Sequence, residues 1–360
     1  MADTVLSTAL YVQKWLRQYY QEYVRTSGFL PYMGTGTNSI IQVKRELADV
    51  GKTINIPLIT RLKGSGVTGK NVLTGNEEAL GNFNHQITVD FLRHAVVIDE
   101  VDEKWTEIDL MKAAKDALTA WAADKLRADT ITALGSINGV AYGTASAAQK
   151  NTWTAANEDR VLFGDAVGNY SATHATALNN VTASMKLSAS VLSLMKRIAK
   201  TADPHIRPTR VNNSAGREYF MVFTGSMAFR DLKNDSVMQQ ANREARPRDV
   251  ESNPIFQDGD LIYDGVIVRE IPEIEGFNNT AGAPGPVRIE PVYLCGAQAL
   301  GLAWGMEPKT IRDDWDYGKR KGVGTKEVRG IDKLRFETGT GGAFKDHGLV
   351  TGYVAAALDA

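Results

Sequence analysis

The sequence predicts an α+β protein, on the evidence of three segments with different hydrophobic periodicities. Asp102 to Leu134 carries apolar residues every three to four positions, and neither glycine nor proline interrupts it. Thr53 to Leu62 and Gln86 to Ile98 instead alternate apolar with polar residues, which is the period of a half-buried strand. Beyond residue 211 short helical and strand patterns follow one another, so helices and strands share the chain.

The composition is that of a folded and nearly neutral protein. The 360 residues include 41 Lys and Arg against 42 Asp and Glu, so a net charge of -1 provides no overall field for nucleic acid or an anionic membrane. Cys295 is the single cysteine, which excludes an intrachain disulfide and a cysteine-cluster metal site. We find neither a signal-peptide pattern nor a membrane-spanning stretch of roughly 18 apolar residues, and we expect a protein made in a reducing cytoplasm.

The N-terminal segment, residues 5 to 26, has the pattern of an amphipathic helix whose aromatic face includes Trp15, Tyr19 and Tyr23. Gly28 and a proline three residues later interrupt the chain, so this helix is separated from the elements that follow. An aromatic face of this kind needs an apolar surface to cover it. We therefore expect the segment to be an arm that docks on a neighbouring copy of the chain.

The alternating segments Thr53 to Leu62 and Gln86 to Ile98 predict the two strands of a long β-hairpin. The connection, Lys63 to His85, contains five glycines and few apolar residues, so packing on itself cannot offset its ordering entropy. The adjacent acids Glu77 and Glu78 point to opposite faces of an extended segment, which argues against a paired acid–base site. We expect a mobile or partner-bound tip, with these acids solvated or in intersubunit salt bridges.

The segment Asp102 to Leu134 predicts a structural spine. As a helix it would be on the order of 50 Å long, at about 1.5 Å per residue, and it ends at Gly135. Residues 135 to 183 are rich in small and polar residues, and we predict loops there apart from a short strand at Arg160 to Phe163.

The rest of the chain predicts helices and strands in mixed order. An amphipathic helix holds Leu187 to Ile198 and stops at the breaker Asp203-Pro204. The later elements are a strand at Tyr219 to Thr224, a helix with Phe229 and Leu232, a hairpin of Leu261 to Tyr263 with Val266 to Arg269, and a strand at Val287 to Cys295. The sequence contains no internal repeat.

Gly64 to Lys70 fits the sequence patterns of a phosphate-binding loop and follows a predicted strand. Two requirements of such a site are not met. Asn71 replaces the Ser or Thr that would hold Mg²⁺, and the next residues predict no helix whose N-terminus could receive a phosphate. A nucleotide-binding enzyme using this loop is therefore the less favoured alternative to a flexible hairpin tip.

The sequence predicts no catalytic residues, no cofactor and no metal site. The five histidines are scattered, and Cys295 lies in an apolar run, where burial would raise the pKa of its thiol. The acidic groups around Asp258 and Asp313 lack the spacing and the terminal Glu of a calcium-binding loop. The basic clusters Arg243 to Arg248 and Lys319 to Lys321 lack interleaved aromatic residues, so we expect no reading of base sequence.

Several segments together have the order and spacing of a known family. The most specific is Leu73 to Leu80, which reads Leu-Thr-Gly-Asn-Glu-Glu-Ala-Leu, and the second is Gly296 to Gly305, which reads Gly-Ala-Gln-Ala-Leu-Gly-Leu-Ala-Trp-Gly. The others are Ile40 to Lys44, Leu62 to Gly69, Leu92 to Val96, Arg160 to Gly164 and Trp315 to Gly318. Over about residues 35 to 335 the chain thus resembles the major capsid proteins of phages in the coliphage N-four group. Lys70-Asn71 departs from the family's usual acidic residue and Gly, which we expect to change local charge rather than fold.

The resemblance implies the Hong Kong 97-like phage capsid fold, in which an N-terminal arm, an extended hairpin loop, a peripheral domain with a long spine helix and an axial domain tile a shell. It places the arm at residues 1–50, the extended loop at 51–97, the peripheral domain at 98–210 with its spine helix at 102–134, the axial domain at 211–325 and a C-terminal return to the peripheral domain at 326–360.

The resemblance also implies a function. It implies a non-enzymatic major capsid protein of the virion that self-assembles, through hexamers and pentamers, into the icosahedral shell around the double-stranded DNA genome of a tailed bacteriophage. The implied partners are other copies of the chain, a portal, scaffold or decoration proteins, and DNA contacted without sequence specificity, with no membrane and no small-molecule substrate. The candidate intersubunit contacts are Trp15, Tyr19, Tyr23, Gly64, Gly66, Gly69, Lys70, Glu77, Glu78 and Arg93. A tube or decoration protein of a virion is the alternative among self-assembling modules.

Overall fold

The structure is a computed structural model that describes residues 29–45, 51–105, 110–210, 218–244, 261–279, 286–337 and 343–358. Its helices are α1 (Glu100–Trp105), α2 (Leu110–Leu134), α3 (Ala147–Ala156), α4 (His174–Asn179), α5 (Ala189–Thr201), α6 (Ser226–Asn234) and α7 (Ser236–Glu244). Its strands are β1 (Met33–Gly34), β2 (Ile41–Lys44), β3 (Thr53–Ile59), β4 (Asn82–Thr88), β5 (Asp90–Asp99), β6 (Val161–Phe163), β7 (Thr209–Arg210), β8 (Glu218–Thr224), β9 (Leu261–Tyr263), β10 (Val266–Glu270), β11 (Phe277–Asn278), β12 (Arg288–Cys295), β13 (Leu300–Trp315), β14 (Arg320–Lys333), β15 (Arg335–Glu337), β16 (Phe344–Asp346) and β17 (Leu349–Ala355).

Within these described ranges the strands form two large sheets. The first sheet has the order β1-β2-β13-β14-β5, and its centre is the long antiparallel pair of β13 and β14. The second sheet has the order β6-β17-β12-β8-β10-β9, with β11 beside β12 and β7 beside β8. The strands β3 and β4 form a separate hairpin. Helices and strands thus share one chain without regular alternation, and the predicted α+β class is confirmed.

The long helix α2 lies against one face of the first sheet. The side chains that pack together there are Met111, Ala114 and Leu118 of α2 with Ile98 of β5 and Val323 of β14. The helix has 25 residues, which corresponds to about 38 Å at 1.5 Å per residue. The predicted spine helix is therefore confirmed over Leu110–Leu134, while α1 covers the beginning of the predicted segment and residues 106–109 lie outside the described residues.

The second sheet and α5 enclose the largest apolar core. Leu192 and Met195 of the helix pack against Val222, Val292 and Val350 of three neighbouring strands. The predicted strands at 219–224, 261–263, 266–269 and 287–295 are confirmed within one residue, and the predicted helix at 187–198 is confirmed within three residues. The helix predicted around Phe229 is α6.

The predicted hairpin is correct in its first strand and wrong in its second. The first strand, β3, pairs only with Asn82–Thr88, whereas Asp90–Asp99 leaves the hairpin and pairs with β14 of the first sheet. The division falls at Val89, whose N–H donates to the Lys52 carbonyl oxygen at 2.9 Å and closes the hairpin ladder. A single alternating run therefore serves two sheets, which hydrophobic periodicity alone does not reveal.

The prediction of loops over residues 135–183 is wrong for two short helices, α3 and α4. The first begins with a capping box, in which the Ser146 hydroxyl accepts from the Gln149 N–H and the Gln149 side chain accepts from the Ser146 N–H. It buries Trp153 completely in a third apolar cluster. The sequence signal was therefore present as Ser-x-x-Gln, but the small and polar residues around it hid the helical period.

Three further predictions have different outcomes when they are compared with the structure. The predicted N-terminal arm helix lies outside the described residues. The predicted limit of the axial domain at residue 325 falls inside the continuous strand β14, so strand and domain limits do not coincide there. In the part of the chain that the structure describes, no helix combines the length and the apolar character needed to cross a membrane.

Candidate assembly surfaces

His174 is held by two hydroxyl groups in a buried site. His174 lies between the Thr154 hydroxyl at 2.8 Å and the Tyr142 hydroxyl at 3.0 Å. Burial lowers the pKa of His174 to about 4, so the ring is neutral near pH 7. Among the residues that the structure covers, no cluster of three or more His, Cys, Asp or Glu side chains could hold a metal ion.

Cys295 is completely buried in β12. Burial raises the pKa of its thiol well above the usual range, because the thiolate would be desolvated. A thiol in this state is a poor nucleophile at neutral pH. The expectation of an inert cysteine agrees with this environment.

The glycine-rich segment Gly64 to Lys70 does not have the geometry of a phosphate-binding loop. Throughout the described residues 60–81 the chain is extended or turning, and the first helix after this segment is α1. Gly66 and Gly69 have φ values of +70° and +69°, a region that residues with a Cβ rarely adopt. Without a helix N-terminus behind it, the loop has no oriented backbone dipole for a phosphate.

Glu78 closes the neck of the hairpin. Its two carboxylate oxygens accept hydrogen bonds from the Lys63 N–H and the Gly64 N–H, each at 2.6 Å. These two backbone hydrogen bonds lower the pKa of Glu78, although the group is exposed. Glu77 points elsewhere and accepts from the Gly75 N–H at 2.7 Å, so the two adjacent acids do separate tasks, as their extended backbone predicts.

The neck is also tied to the body of the same chain. The Lys63 ammonium lies 2.6 Å from a carboxylate oxygen of Asp203, and the Arg61 guanidinium lies 3.3 Å from the other oxygen. The Lys63 hydrogen bond is the main reason that the pKa of Asp203 is lowered. All three side chains are more than half exposed, so solvent screens these ion pairs and they hold the neck weakly.

The hairpin exposes apolar side chains at the end of β3, at the neck and in the tip beyond the neck. The exposed ones are Ile59, Leu62, Val72, Leu73 and Leu80. Burying such side chains would contribute roughly 1.5–3 kcal/mol each, so this surface favours contact with another apolar surface. Lys70 lies in the same tip and is exposed.

Arg93 lies on the other candidate surface, which we call the outer face. The outer face is the side of β5, β14 and β13 that points away from α2. Val323 of β14 packs under α2, so its neighbours along the strand, such as Val328 and Lys326, alternate onto the outer face. Arg93 is the direct cross-strand partner of Lys326 there.

The structure thus brings only some of the predicted intersubunit contact residues close together. Gly64 and Glu78 meet at the neck, whereas Arg93 lies on the outer face and the aromatic residues of the arm lie outside the described residues. Sequence reasoning missed Asp203, because its hairpin partners are about 140 positions away. It also missed Trp105 of α1 and Phe91 of β5, whose side chains are 83% and 67% exposed. The one signal in the sequence was an aromatic residue at a position predicted to lie on a surface.

Comparisons with known proteins identify the family. The family model described as phage capsid protein matches residues 3–358. A capsid structure of Cyanophage Pam1 is 45% identical, covers 100% of both chains and superposes with a TM-score of 0.84. The major capsid protein of Pseudomonas phage KPP25 is 29% identical over 362 residues, covering 95% of this chain and 94% of the relative.

A capsid structure of Ralstonia phage GP4 shares the fold at 21% identity, with a TM-score of 0.72 over 93% of this chain and 92% of the other. The expected Hong Kong 97-like capsid fold is therefore confirmed, as is the resemblance stated from the sequence. The chain belongs to the phage capsid protein family, and it is a major capsid protein of a bacteriophage virion.

Proposed function

We propose that the chain forms its shell through hexamers and pentamers in which the hairpin of each copy covers its neighbour. The observation that carries this proposal is the apolar tip, whose side chains are exposed within the part of the chain that the structure describes. A shell subunit uses surfaces that are complementary to other surfaces of the same chain, so that contacts close by symmetry. The tip is an element that only such a contact would order.

The division into domains follows the two sheets in this proposal. We assign α2 and the first sheet to the peripheral domain and the second sheet to the axial domain, which moves β13 and β14 out of the predicted axial range 211–325. The reaching segments are then the part of the predicted arm that precedes residue 29 and the hairpin of β3 and β4, because β2 and β5, which the predicted arm and extended loop included, are strands of the first sheet. The aromatic pattern that the sequence predicts for the arm supports docking on another copy, since an apolar aromatic face favours burial.

DNA, a portal and scaffold or decoration proteins are the further partners that we propose. The net charge of -1 supports a subunit that packs against many copies of itself, because a large like charge would oppose assembly. Contact with the packaged genome would then be local, through clusters such as Lys319 to Lys321, and would depend on phosphates rather than bases.

Deleting residues 64–81 tests the proposal. Because Ile59 pairs with Asn82, the deletion leaves residues 60–63 as a four-residue turn between intact strands, which is an ordinary hairpin connection. We expect a folded subunit with an unchanged thermal transition that forms no shells, as measured by circular dichroism and negative-stain electron microscopy.

The matched control replaces residues 64–81 with a Gly-Ser segment of equal length, which keeps the reach of the hairpin but removes its apolar side chains. This control should also fail to assemble. Closed shells from the deletion variant would contradict the proposal. Open tubes or trimers from the unaltered chain, without hexamers or pentamers, would instead favour the alternative of a tube or decoration module.

A further inference from the structure

The hairpin of the same chain covers one half of the outer face, and glycines in β13 and β14 make room for it. A Cβ at Gly330 would come within 2.1 Å of the Thr88 carbonyl oxygen, and one at Gly301 within 2.4 Å of the Ile87 side chain. The hairpin of the same chain therefore lies directly on β13 and β14 at this half, with Ile54 in the same apolar cluster. This half of the outer face is adapted to receive a β-hairpin.

The other half carries a row of three cations, which we call the basic row: Lys309, Lys326 and Arg93. They are direct cross-strand partners on adjacent strands, so their Cβ atoms are about 5 Å apart on one face. Like charges placed directly opposite each other destabilise a sheet. Among the described residues none of the three takes part in a salt bridge, whereas Lys321 and Arg329, on the opposite face, both do.

Apolar side chains surround the basic row. Phe91, Val97 and Ile311 are 67%, 52% and 42% exposed there. Gly324 of β14 is the cross-strand partner of Ile311 of β13. Because glycine has no side chain, β14 leaves a gap on the outer face between Ile311 and the side chains of β5. A nucleic acid backbone would require only the cations, so the exposed apolar residues indicate a protein segment that combines apolar side chains with a carboxylate.

The hairpin tip, residues 62–81, is a segment with that combination. It exposes Leu62, Val72, Leu73 and Leu80 and carries Glu77, while the neighbouring Glu78 is occupied at the neck. In its own chain the hairpin is tied near the tip to Asp203 and forms no hydrogen bond or salt bridge with the basic row among the described residues. The complementary surfaces therefore belong to two different copies.

We propose that the uncovered half of the outer face receives the hairpin tip of a second copy, with Glu77 of that copy facing the basic row. This inference rests on the proposed docking of the hairpin on a neighbour and adds the residues that would recognise it. The cost of placing three like charges in register is then offset by a carboxylate from the adjacent subunit. One sheet face thus receives two hairpins, one from its own chain and one from the next.

Chemical crosslinking tests the contact directly. In a Glu77→Cys, Lys326→Cys double variant, a short bis-maleimide should link adjacent copies and give a ladder of covalent oligomers on a denaturing gel. The unaltered chain is the control, since its only cysteine, Cys295, is completely buried. Shells that form normally but yield no ladder would overturn this inference while leaving the proposed hairpin docking intact.

Charge reversal tests the chemistry. Glu77→Lys and Lys326→Glu should each raise the protein concentration required for half-maximal assembly by about tenfold or more, because like charges would meet at the contact. The two changes together should restore assembly to within a few-fold, and Lys186→Glu, an exposed lysine elsewhere, should have little effect.

Three results would contradict the proposal. They are normal assembly by both single variants, a double variant at least as defective as either single one, and normal assembly of Lys326→Glu with a reduced content of nucleic acid. The last result would assign the basic row to DNA. If deletion of residues 64–81 also leaves assembly intact, the proposed function itself fails, so the two failures are distinguishable.

Discussion

A buried ion pair joins two distant parts of the chain at the level of single residues. The Lys333 ammonium lies 2.8 Å from an Asp346 carboxylate oxygen, and each side chain is only 2% exposed. The Trp153 indole N–H donates to the same oxygen at 3.1 Å. Lys333→Ala would leave the carboxylate buried and uncompensated, so we expect it to lower the free energy of unfolding by about 3–5 kcal/mol.

Urea unfolding of the unassembled subunit measures this loss. The matched control is Lys333→Met with Asp346→Asn, which removes both charges and keeps an oxygen that can accept from Trp153. It should recover most of the lost stability, because no unpaired charge is then buried. A single variant as stable as the unaltered chain would contradict the prediction.

Two desolvated histidines, the buried His174 and the partly buried His347, predict how stability depends on pH. Burial lowers the pKa values of His174 and His347 to about 4, whereas histidine in an unfolded chain titrates near about 6.5. The unfolded state therefore binds more protons below pH 6.5, and stability is lost as the pH falls from about 6.5 towards about 4. The loss should approach roughly 3 kcal/mol per histidine at most.

This effect is measured by urea unfolding near pH 7 and near pH 4.5. His174→Gln should reduce the dependence by about half, since one of the two titrating groups is gone. Replacing the exposed His205 by Gln is the control and should leave the dependence unchanged. An unfolding free energy that is flat over this range would contradict the assignment of neutral desolvated rings.

The sequence predicted several of these residues and not others, for a physical reason. Extended backbone alone places Glu77 and Glu78 on opposite faces, and an apolar run alone predicts a buried Cys295. By contrast, the pairs Lys333–Asp346 and Lys63–Asp203 are set by tertiary contacts between segments far apart in the chain. No local pattern contains that information.

At the level of elements, the seating of the hairpin on the first sheet depends on Gly330. A Cβ there would come within 2.1 Å of the Thr88 carbonyl oxygen, and a backbone atom cannot move aside as a flexible side chain can. Gly330→Ala should therefore lower the free energy of unfolding by about 1–3 kcal/mol and loosen β3 and β4. Hydrogen exchange of the β4 amides, measured by mass spectrometry, would show this loosening.

Gly143→Ala is the matched control, because a Cβ at Gly143 meets nothing within 4 Å. It should be neutral or slightly stabilising, since alanine restricts the unfolded chain. Equal protection of β4 in both variants would contradict the seating argument.

The contrast between α2 and α3 explains which elements the sequence can predict. The first has 25 residues with a sustained apolar period and no breaker, so its helical state is dictated locally. The second has ten residues and owes its place to Trp153, buried in a cluster with residues from β6 and β17. Short helices of this kind depend on tertiary packing more than on propensity.

At the scale of the whole molecule, the split of the run from Gln86 to Ile98 has a structural consequence. The chain passes without a loop from the projecting hairpin into β5, and β5 forms the edge of the sheet whose outer face bears the basic row. A force on the hairpin is therefore transmitted directly to the surface that we propose for the next copy. Sequence periodicity predicted the strands but not this division between two sheets.

The charge balance of the whole molecule leads to the last prediction, which concerns DNA. With a net charge of -1, we expect the subunit to contact only a few phosphates, through local clusters such as Lys319 to Lys321. We expect the unassembled subunit to bind duplex DNA no more tightly than on the order of 10⁻⁶ M, the non-specific range, and equally for different sequences.

Fluorescence anisotropy with two unrelated duplexes of equal length measures both properties. Binding should weaken steadily with added salt, because each contacted phosphate releases a counterion. Reversing Lys319 and Arg320 to Glu should weaken binding to both duplexes by the same factor, since phosphate contacts carry no base information. A tenfold preference for one duplex would instead require side chains that read base edges, which the basic clusters of this sequence do not provide.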